Sequence, residues 1–446
     1  MNEALCGSSP PARTVTVRDW SAVNYVGYLR SELGLGEAAR GNIRALEHQG
    51  MPVALFDVSA LSQSERNDWR AAELRPLPST PPNAINIVHV NADQLMLLRE
   101  RLGPTFFSGR YNIGVWAWEA PRFPAAWKDR FPLLNEIWVG GRYMYDAIAR
   151  VSPVPVVHIP HVVEVPPARC DKASFGIDPQ ETVFLFMFDF FSTLSRKNPR
   201  GTIEAFRRAF HRDEPARLVM KSMNGAKRPE GLASLREAAE GLRVTFIDKA
   251  LDSQRRHELL ASCDAFVSLH RAEGFGLGIA EAMAHGKPAI ATAWSGNTDF
   301  ADITNSLPVR YVLRALESDD PPYEAGTEWA EPDLDHAAEL MRSVWKNPEA
   351  ARALGERGRQ HVASHHSPAR VGRMMLDRLE VLRGFDVSGS ELVPETAAAG
   401  SGGPMAFARP VLRGTWRRVR NLAPISWDRR LVRVASAMKR GLGYPD

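Results

Sequence analysis

His270-Arg271-Ala272-Glu273-Gly274-Phe275-Gly276-Leu277-Gly278-Ile279-Ala280-Glu281-Ala282-Met283-Ala284-His285-Gly286-Lys287-Pro288 sets two glutamates, with seven residues between them, across a glycine-rich turn. An apolar run, Ala265-Phe266-Val267-Ser268-Leu269, precedes the stretch, and Ala289-Ile290-Ala291-Thr292 follows it. The unit reads as strand, glycine-rich loop, short helix, strand, which is the layout of a nucleotide-binding βαβ element.

The residue types suggest a division of labour. Gly274, Gly276 and Gly278 allow backbone amides to approach a ligand closely, and the helix they open offers unpaired N–H groups and a positive dipole end to a pyrophosphate. Glu281, about one turn into that helix, can accept hydrogen bonds from ribose hydroxyls. Glu273 precedes the glycines, where a carboxylate can bind sugar hydroxyls or stabilise positive charge at an anomeric carbon. Taken alone the motif leaves other readings open, because glycine loops open helices in many α/β proteins.

Further motifs in order narrow the choice. Phe188-Asp189-Phe190-Phe191-Ser192 leads to Arg196-Lys197-Asn198-Pro199, Gly286-Lys287-Pro288 closes the βαβ unit, and Trp294-Ser295-Gly296-Asn297-Thr298-Asp299-Phe300 follows its last strand. This set resembles the donor-site signature of the family 4 retaining glycosyltransferases, which have the GT-B fold. The resemblance, over about residues 22–385, implies that Lys197 binds donor phosphate. Arg196 is the nearest replacement for an arginine the family often carries where this chain has Ser192. By the same resemblance Glu273, Gly274, Phe275, Gly276, Leu277 and Glu281 complete the donor site, and residues 294–300 close over the donor.

On the acceptor side, Gly34-Leu35-Gly36-Glu37 looks like the loop by which the first domain touches the reaction centre. The alternative is a tight turn with Glu37 favouring a helix N-terminus. Trp116-Ala117-Trp118-Glu119 stands where many family members have a histidine, and in this the chain resembles a subset making bacterial surface polysaccharides, often mannosyltransferases. Glu119 is expected to bind or orient the acceptor hydroxyl while Trp116 or Trp118 stacks on a sugar face; the alternative packs both rings in the core. The catalytic set is then Glu273, Glu119 and Lys197. The resemblance implies retention of anomeric configuration with no metal or other cofactor, and Asp319-Asp320 reads as solvated charge. Mannose from GDP-mannose is the preferred donor, with glucose or another hexose from a UDP donor as the alternative. His89 reads as a packed histidine.

Length and composition agree with two domains. The chain has 446 residues, of which 44% are hydrophobic and 24% charged, enough for two α/β cores. Strand-like runs alternate with helical ones, so a flexible start at 1–21, an acceptor domain at 22–170 and a donor domain at 171–385 are expected, both Rossmann-like, with the last helix crossing back. Three cysteines without metal-ligand spacing exclude a disulfide framework, and Cys263 reads as a core residue. No apolar run reaches the ~20 residues of a membrane span, so a cytoplasmic location is the expectation.

A serine-, glycine- and alanine-rich linker at 386–404 leads to a tail at 405–446 carrying ten basic residues against two acidic ones, in a chain whose net charge is +4. Interleaved Trp416, Leu422, Trp427 and Leu431 suit an interfacial helix on anionic lipid, making the inner face of the cytoplasmic membrane a candidate site. The expected partners are a nucleoside-diphosphate sugar and a glycan or lipid-linked glycan; nucleic acid is not expected. A sugar-nucleotide isomerase or hydrolase of similar fold, or a non-catalytic nucleotide-sugar binder, remains an alternative.

Overall fold

The computed structural model describes residues 21–62, 64–78 and 80–382. The linker and basic tail, and all but the last residue of the expected flexible start, lie outside them. Two parallel six-stranded sheets form two lobes. The first contains β1 (Val23–Gly27), β2 (Val53–Asp57), β3 (Ile85–His89), β4 (Tyr111–Trp116), β5 (Glu136–Val139) and β6 (Val156–His158), in the order β2-β1-β3-β4-β5-β6. The second contains β7 (Thr182–Asp189), β8 (Ala216–Met223), β9 (Val244–Asp248), β10 (Ala265–Ser268), β11 (Ala289–Thr292) and β12 (Leu307–Val309), in the order β12-β11-β10-β7-β8-β9.

Every residue of β1, β3, β4 and β5 is buried. That is why these strands are rich in apolar residues without a regular alternation, the buried polar exceptions being Asn24, Asn86, His89, Asn112 and Glu136. In the second sheet the strand order reverses between β7 and β10, and a crevice for ligand opens beyond the strand ends at such a point. The loops leaving those two strands carry Lys197 and Glu273, so topology alone brings together groups 76 residues apart.

The first lobe carries α1 (Gly34–His48), α2 (Ala92–Leu102) and α3 (Arg142–Ala149). The second carries α4 (Leu194–Lys197), α5 (Pro199–Ala209), α6 (Pro229–Ala238), α7 (Ser253–Ser262) and α8 (Leu277–Ala284), followed by α9 (Leu334–Lys346), α10 (Pro348–His365) and α11 (Pro368–Leu382). Among the described residues, no helix is long and apolar enough to cross a membrane.

An antiparallel hairpin of β13 (Tyr311–Ala315) and β14 (Glu328–Pro332) goes beyond the sequence reading. Its first strand is largely exposed and lacks a clean alternation, so it gives no strand signal. The hairpin corrects one expectation. Asp320 is not simply solvated: it accepts a hydrogen bond from the Ser195 hydroxyl, and Asp319 accepts one from the Ala325 amide at 2.7 Å.

Helix α11 packs on α1 of the first lobe. Contact is close enough that a Cβ on Gly372 would lie 2.2 Å from the Ala45 carbonyl oxygen. Farther along α11, Arg378 donates through Nε and one terminal nitrogen to Glu136. Glu136 is fully buried in β5 and also accepts from Trp138 Nε1 at 2.6 Å. Removing one partner of a buried pair leaves an uncompensated charge. Arg378→Met should therefore destabilise the protein by about 3–5 kcal/mol, read as a lower urea midpoint with an unchanged slope.

Candidate active site

Four charged side chains meet where the lobes face each other. Arg196 donates through Nη1 to Glu273 Oε1 and to the Ala272 carbonyl at 2.8 and 2.9 Å, and its other terminal nitrogen lies 3.5 Å from Glu119 Oε1. Lys197 donates to the same Glu273 oxygen. Tyr323, from the β13–β14 connection, donates to Glu119 Oε2 at 3.3 Å. Thus Glu119 and Glu273, from different lobes, share one guanidinium.

Burial shapes this cluster. It would raise the Glu273 carboxyl, but Lys197 and Arg196 outweigh it and hold the group at about 2, so Glu273 is ionised at neutral pH. Burial also pulls the Lys197 ammonium below its ordinary value, against the attraction of Glu273. Arg196 is only 6% exposed. Burial works against its charge, yet Glu119, Tyr323 and Glu273 hold its pKa above the ordinary value.

Local sequence places these groups. Asn198 adopts a left-handed conformation, φ 55°, and its side chain accepts from the Gly201 amide at 3.1 Å and donates to the Leu269 carbonyl at 2.9 Å. This ties the end of α4, and with it Lys197, to the end of β10. Gly276, with φ +89°, makes the turn into α8, leaving the first amides of that helix without intrahelical partners. Gly274 lies against the first lobe, since a Cβ there would sit 3.6 Å from Glu119 Cγ and from Met144 Sδ. Phe275 is buried between His161 and His366, with ring centroids 4.9 and 5.5 Å away.

The second glutamate sits apart from this cluster. Glu281 is 5% exposed and paired with Arg256 at 2.5 Å. Burial raises its pKa, with Arg256 opposing. Leu277 opens α8, on the same loop as the glycines.

The acceptor-side residues divide. Glu119 is in the cluster. The expectation of a sugar stacked on Trp116 or Trp118 is corrected: Trp116 lies parallel to Phe123 at 5.6 Å and against Phe131, while Trp118 packs against Trp127 and Tyr323. Both rings are buried core, because the loop after β4 folds back over them. Gly36 is needed for close packing, since a Cβ would meet the Ser31 carbonyl oxygen at 2.4 Å, whereas Gly34 has open space around it. Glu37 pairs with Arg40 and Arg44 at 2.8 and 3.1 Å, and it also acts electrostatically on Arg256 and Glu281 of the second lobe. His89 is packed as expected, with Tyr25 Oη 2.7 Å from its Nδ1.

Several residues escaped the sequence reading. Arg271 holds Glu331 of β14 at 2.6 Å and donates to the Ser195 carbonyl, anchoring the hairpin beside the site. Ser295 accepts from the Glu273 amide at 2.8 Å while the Gly296 amide donates to the Glu273 carbonyl at 2.9 Å, so this segment clamps the glutamate's own peptide units. Asp299 reaches across to the first turn of α3 and accepts from the Arg142 amide at 2.6 Å. The Gly-Asn-Thr-Asp run signals a turn, but nothing local signals a cap on a helix 157 residues away. No group of three His, Cys, Asp or Glu side chains arranged to hold a metal occurs among the described residues.

Residues 182–310 match the model of a family described as "Glycosyl transferases group 1", and this span contains Lys197, Glu273 and Glu281. No curated protein matches the chain. Among solved structures, the chain is similar to a glycosyltransferase from Rickettsia africae, at 14% identity and a TM-score of 0.59 over 81% of this chain and 98% of that one. It is similar to sucrose-phosphate synthase from Thermosynechococcus elongatus at 16% identity and 0.57, over 81% and 99%. HepE from Anabaena, solved with UDP and glucose, gives 12% and 0.56, over 81% and 100%. At these identities the likeness shows the fold, which is GT-B. The matching domain and the fold together define an enzyme of the glycosyltransferase class.

The clamp on Glu273 can be tested by a single methyl group. A Cβ on Gly296 would fall 1.7 Å from the Gly274 carbonyl oxygen, so Gly296→Ala must push the glycine loop away. Displacement of a catalytic group by about 1 Å costs on the order of 10²-fold in rate. That loss of kcat, with an unchanged far-UV circular dichroism spectrum, is the expected outcome.

Proposed function

We propose that the protein transfers a hexose from a nucleoside-diphosphate sugar to a hydroxyl of a glycan or lipid-linked glycan, with retention of anomeric configuration and without a metal ion. The observation that carries the reading is the Lys197–Glu273 contact at the mouth of the glycine-rich turn. An ammonium has three donors, and Glu273 takes one, so Lys197 can still serve a diphosphate lying over the amides of α8. Glu273, held ionised, is an acceptor for hydroxyls of the sugar joined to that diphosphate.

In the reaction a bond forms from the acceptor oxygen to the anomeric carbon, on the face from which the phosphate departs, as the bond from that carbon to phosphate oxygen breaks; the electron pair leaves with the nucleotide and the hydroxyl proton passes to a leaving phosphate oxygen. Negative charge therefore grows on the leaving phosphate. Lys197 and the helix amides are fixed in advance where it grows, which favours the transition state over the bound substrate. Glu119 orients the acceptor hydroxyl, and Arg196 fixes both carboxylates rather than binding phosphate. Glu281 is assigned to the ribose, with Arg256 holding it. HepE binds UDP-glucose, which supports trying UDP donors beside GDP-mannose. A role in surface polysaccharide synthesis rests on the sequence resemblance.

Thermal unfolding with UDP, GDP, UDP-glucose and GDP-mannose in EDTA tests the donor site, because a ligand binding only the folded state raises stability. One base should raise the melting temperature. Lys197→Ala should weaken that binding about 10- to 100-fold, the worth of a charged hydrogen bond, while Glu273→Gln should bind the nucleotide at least as well as the wild type. No shift with any nucleotide would overturn the reading. For the tail at 405–446, each basic residue near anionic lipid contributes about 1 kcal/mol. Deleting residues 404–446 should abolish co-sedimentation with phosphatidylglycerol vesicles.

A further inference from the structure

A cavity of about 420 Å³ lies between the lobes, lined on one side by residues of the 293–298 segment. Small-ligand sites span roughly 300–1,000 Å³, so the space suits a small ring rather than a chain of them. One wall is α3 with Tyr143 and Asp146, continued by Arg150 at its C-terminal end; the other is the segment after β11 with Trp294 and Thr298, completed by Tyr311.

The lining has a distinctive chemistry. Trp294 meets Tyr143 edge to face at 5.6 Å and Tyr311 at 5.4 Å, giving a wall of three rings. Tyr143 Oη and Trp294 Nε1 face each other in the buried part of this wall, so its contribution to the cavity is ring surface. Asp146 on α3 and Arg150 just after its end, both exposed, add a carboxylate and a guanidinium. Aromatic surface suits the C–H face of a pyranose, and the mixed donors and acceptors suit its hydroxyls. A phosphate would meet Asp146, and a lipid chain would meet both charges, so neither fits as well.

Its position links the cavity to the chemistry. Ser295 lines it and also accepts from the Glu273 amide. Pro121, two residues beyond Glu119, lines it as well. The cavity therefore borders the loops that carry both clustered carboxylates, and neither Lys197 nor Glu281 lines it.

We infer that this cavity is a subsite for one neutral sugar residue of the acceptor glycan, stacked on the Trp294–Tyr143–Tyr311 wall. The inference rests on the glycosyltransferase reading above for the word acceptor, and it relocates acceptor recognition from the packed Trp116 and Trp118 to α3 and Trp294.

Saturation-transfer NMR on the full chain with methyl α-mannopyranoside and methyl α-glucopyranoside tests it, alongside the nucleotide melting shift. The wild type should transfer saturation to ring protons of at least one glycoside. Trp294→Ala should cut that signal fivefold or more, and Arg150→Ala, an exposed change that spares folding, should cut it at least twofold with the nucleotide shift unaltered. No signal from the wild type, or equal signals from wild type and both variants, would overturn the subsite even where the nucleotide shift is present. A glycoside signal lost in the variants, with no nucleotide shift in the wild type, would keep the sugar site and remove the donor reading instead.

Discussion

A guanidinium removed from water needs partners, and Arg196 finds its two carboxylates on different lobes. The ion is 6% exposed, and leaving such a charge unpaired costs several kcal/mol. Glu119 after β4 and Glu273 after β10 therefore have to stay within reach of one point. This constraint fixes the cleft more firmly than its apolar contacts do, because dispersion tolerates sliding whereas a buried charge does not. Asp299 on the first turn of α3 and Tyr323 on Glu119 act in the same sense, each joining a second-lobe segment to the first lobe.

The two adjacent cations consequently have different work. Arg196 spends its donors on Glu273, on the Ala272 carbonyl and on the approach to Glu119, and its Nε is left buried without a partner. Lys197 is more exposed and keeps donors to spare. Neighbouring in sequence, they are separated in role by which way the one-turn α4 points them. Burial keeps nearby His270 below its ordinary pKa. It is neutral at pH 7, so it organises the Trp294–Asn297 segment by hydrogen bonding to Asn297 and the Trp294 carbonyl without adding charge beside Glu273.

The parts legible in the sequence were those a single βα unit writes locally. Buried parallel strands leave apolar-rich runs without alternation, and Gly274, Gly276 and Gly278 mark a loop that opens a helix, so the two sheets and α8 could be read from pattern and order, whereas Lys197 was singled out by the family resemblance alone and its contact with Glu273 is a finding of the structure. The β13–β14 hairpin could not, since Val312, Leu313 and Arg314 are all exposed and no alternation survives. Trp116 and Trp118 were ambiguous for a related reason: an aromatic residue at a strand end looks alike whether its face meets a sugar or, as here, Phe123 and Trp127. Cross-lobe contacts such as Asp299 to Arg142 depend on how the lobes face each other, and no local periodicity encodes that.

Ser295 shows how such non-local demands leave a local trace. Its φ of 71° is one that non-glycine residues rarely adopt, and a backbone of this kind costs about 1–3 kcal/mol. The neighbouring Gly296 would take that conformation more cheaply, yet glycine is required where it stands by the carbonyl of Gly274. Serine at the strained position supplies the oxygen that accepts from the Glu273 amide and donates to the Trp294 carbonyl, hydrogen bonds a glycine lacks. The strain is thus offset by fixing two things at once, the peptide of Glu273 on one side and the backbone of Trp294 on the other. Two hydrogen bonds that join the glycine-rich loop to the segment after β11 explain why a conformation unfavourable in isolation is held between them.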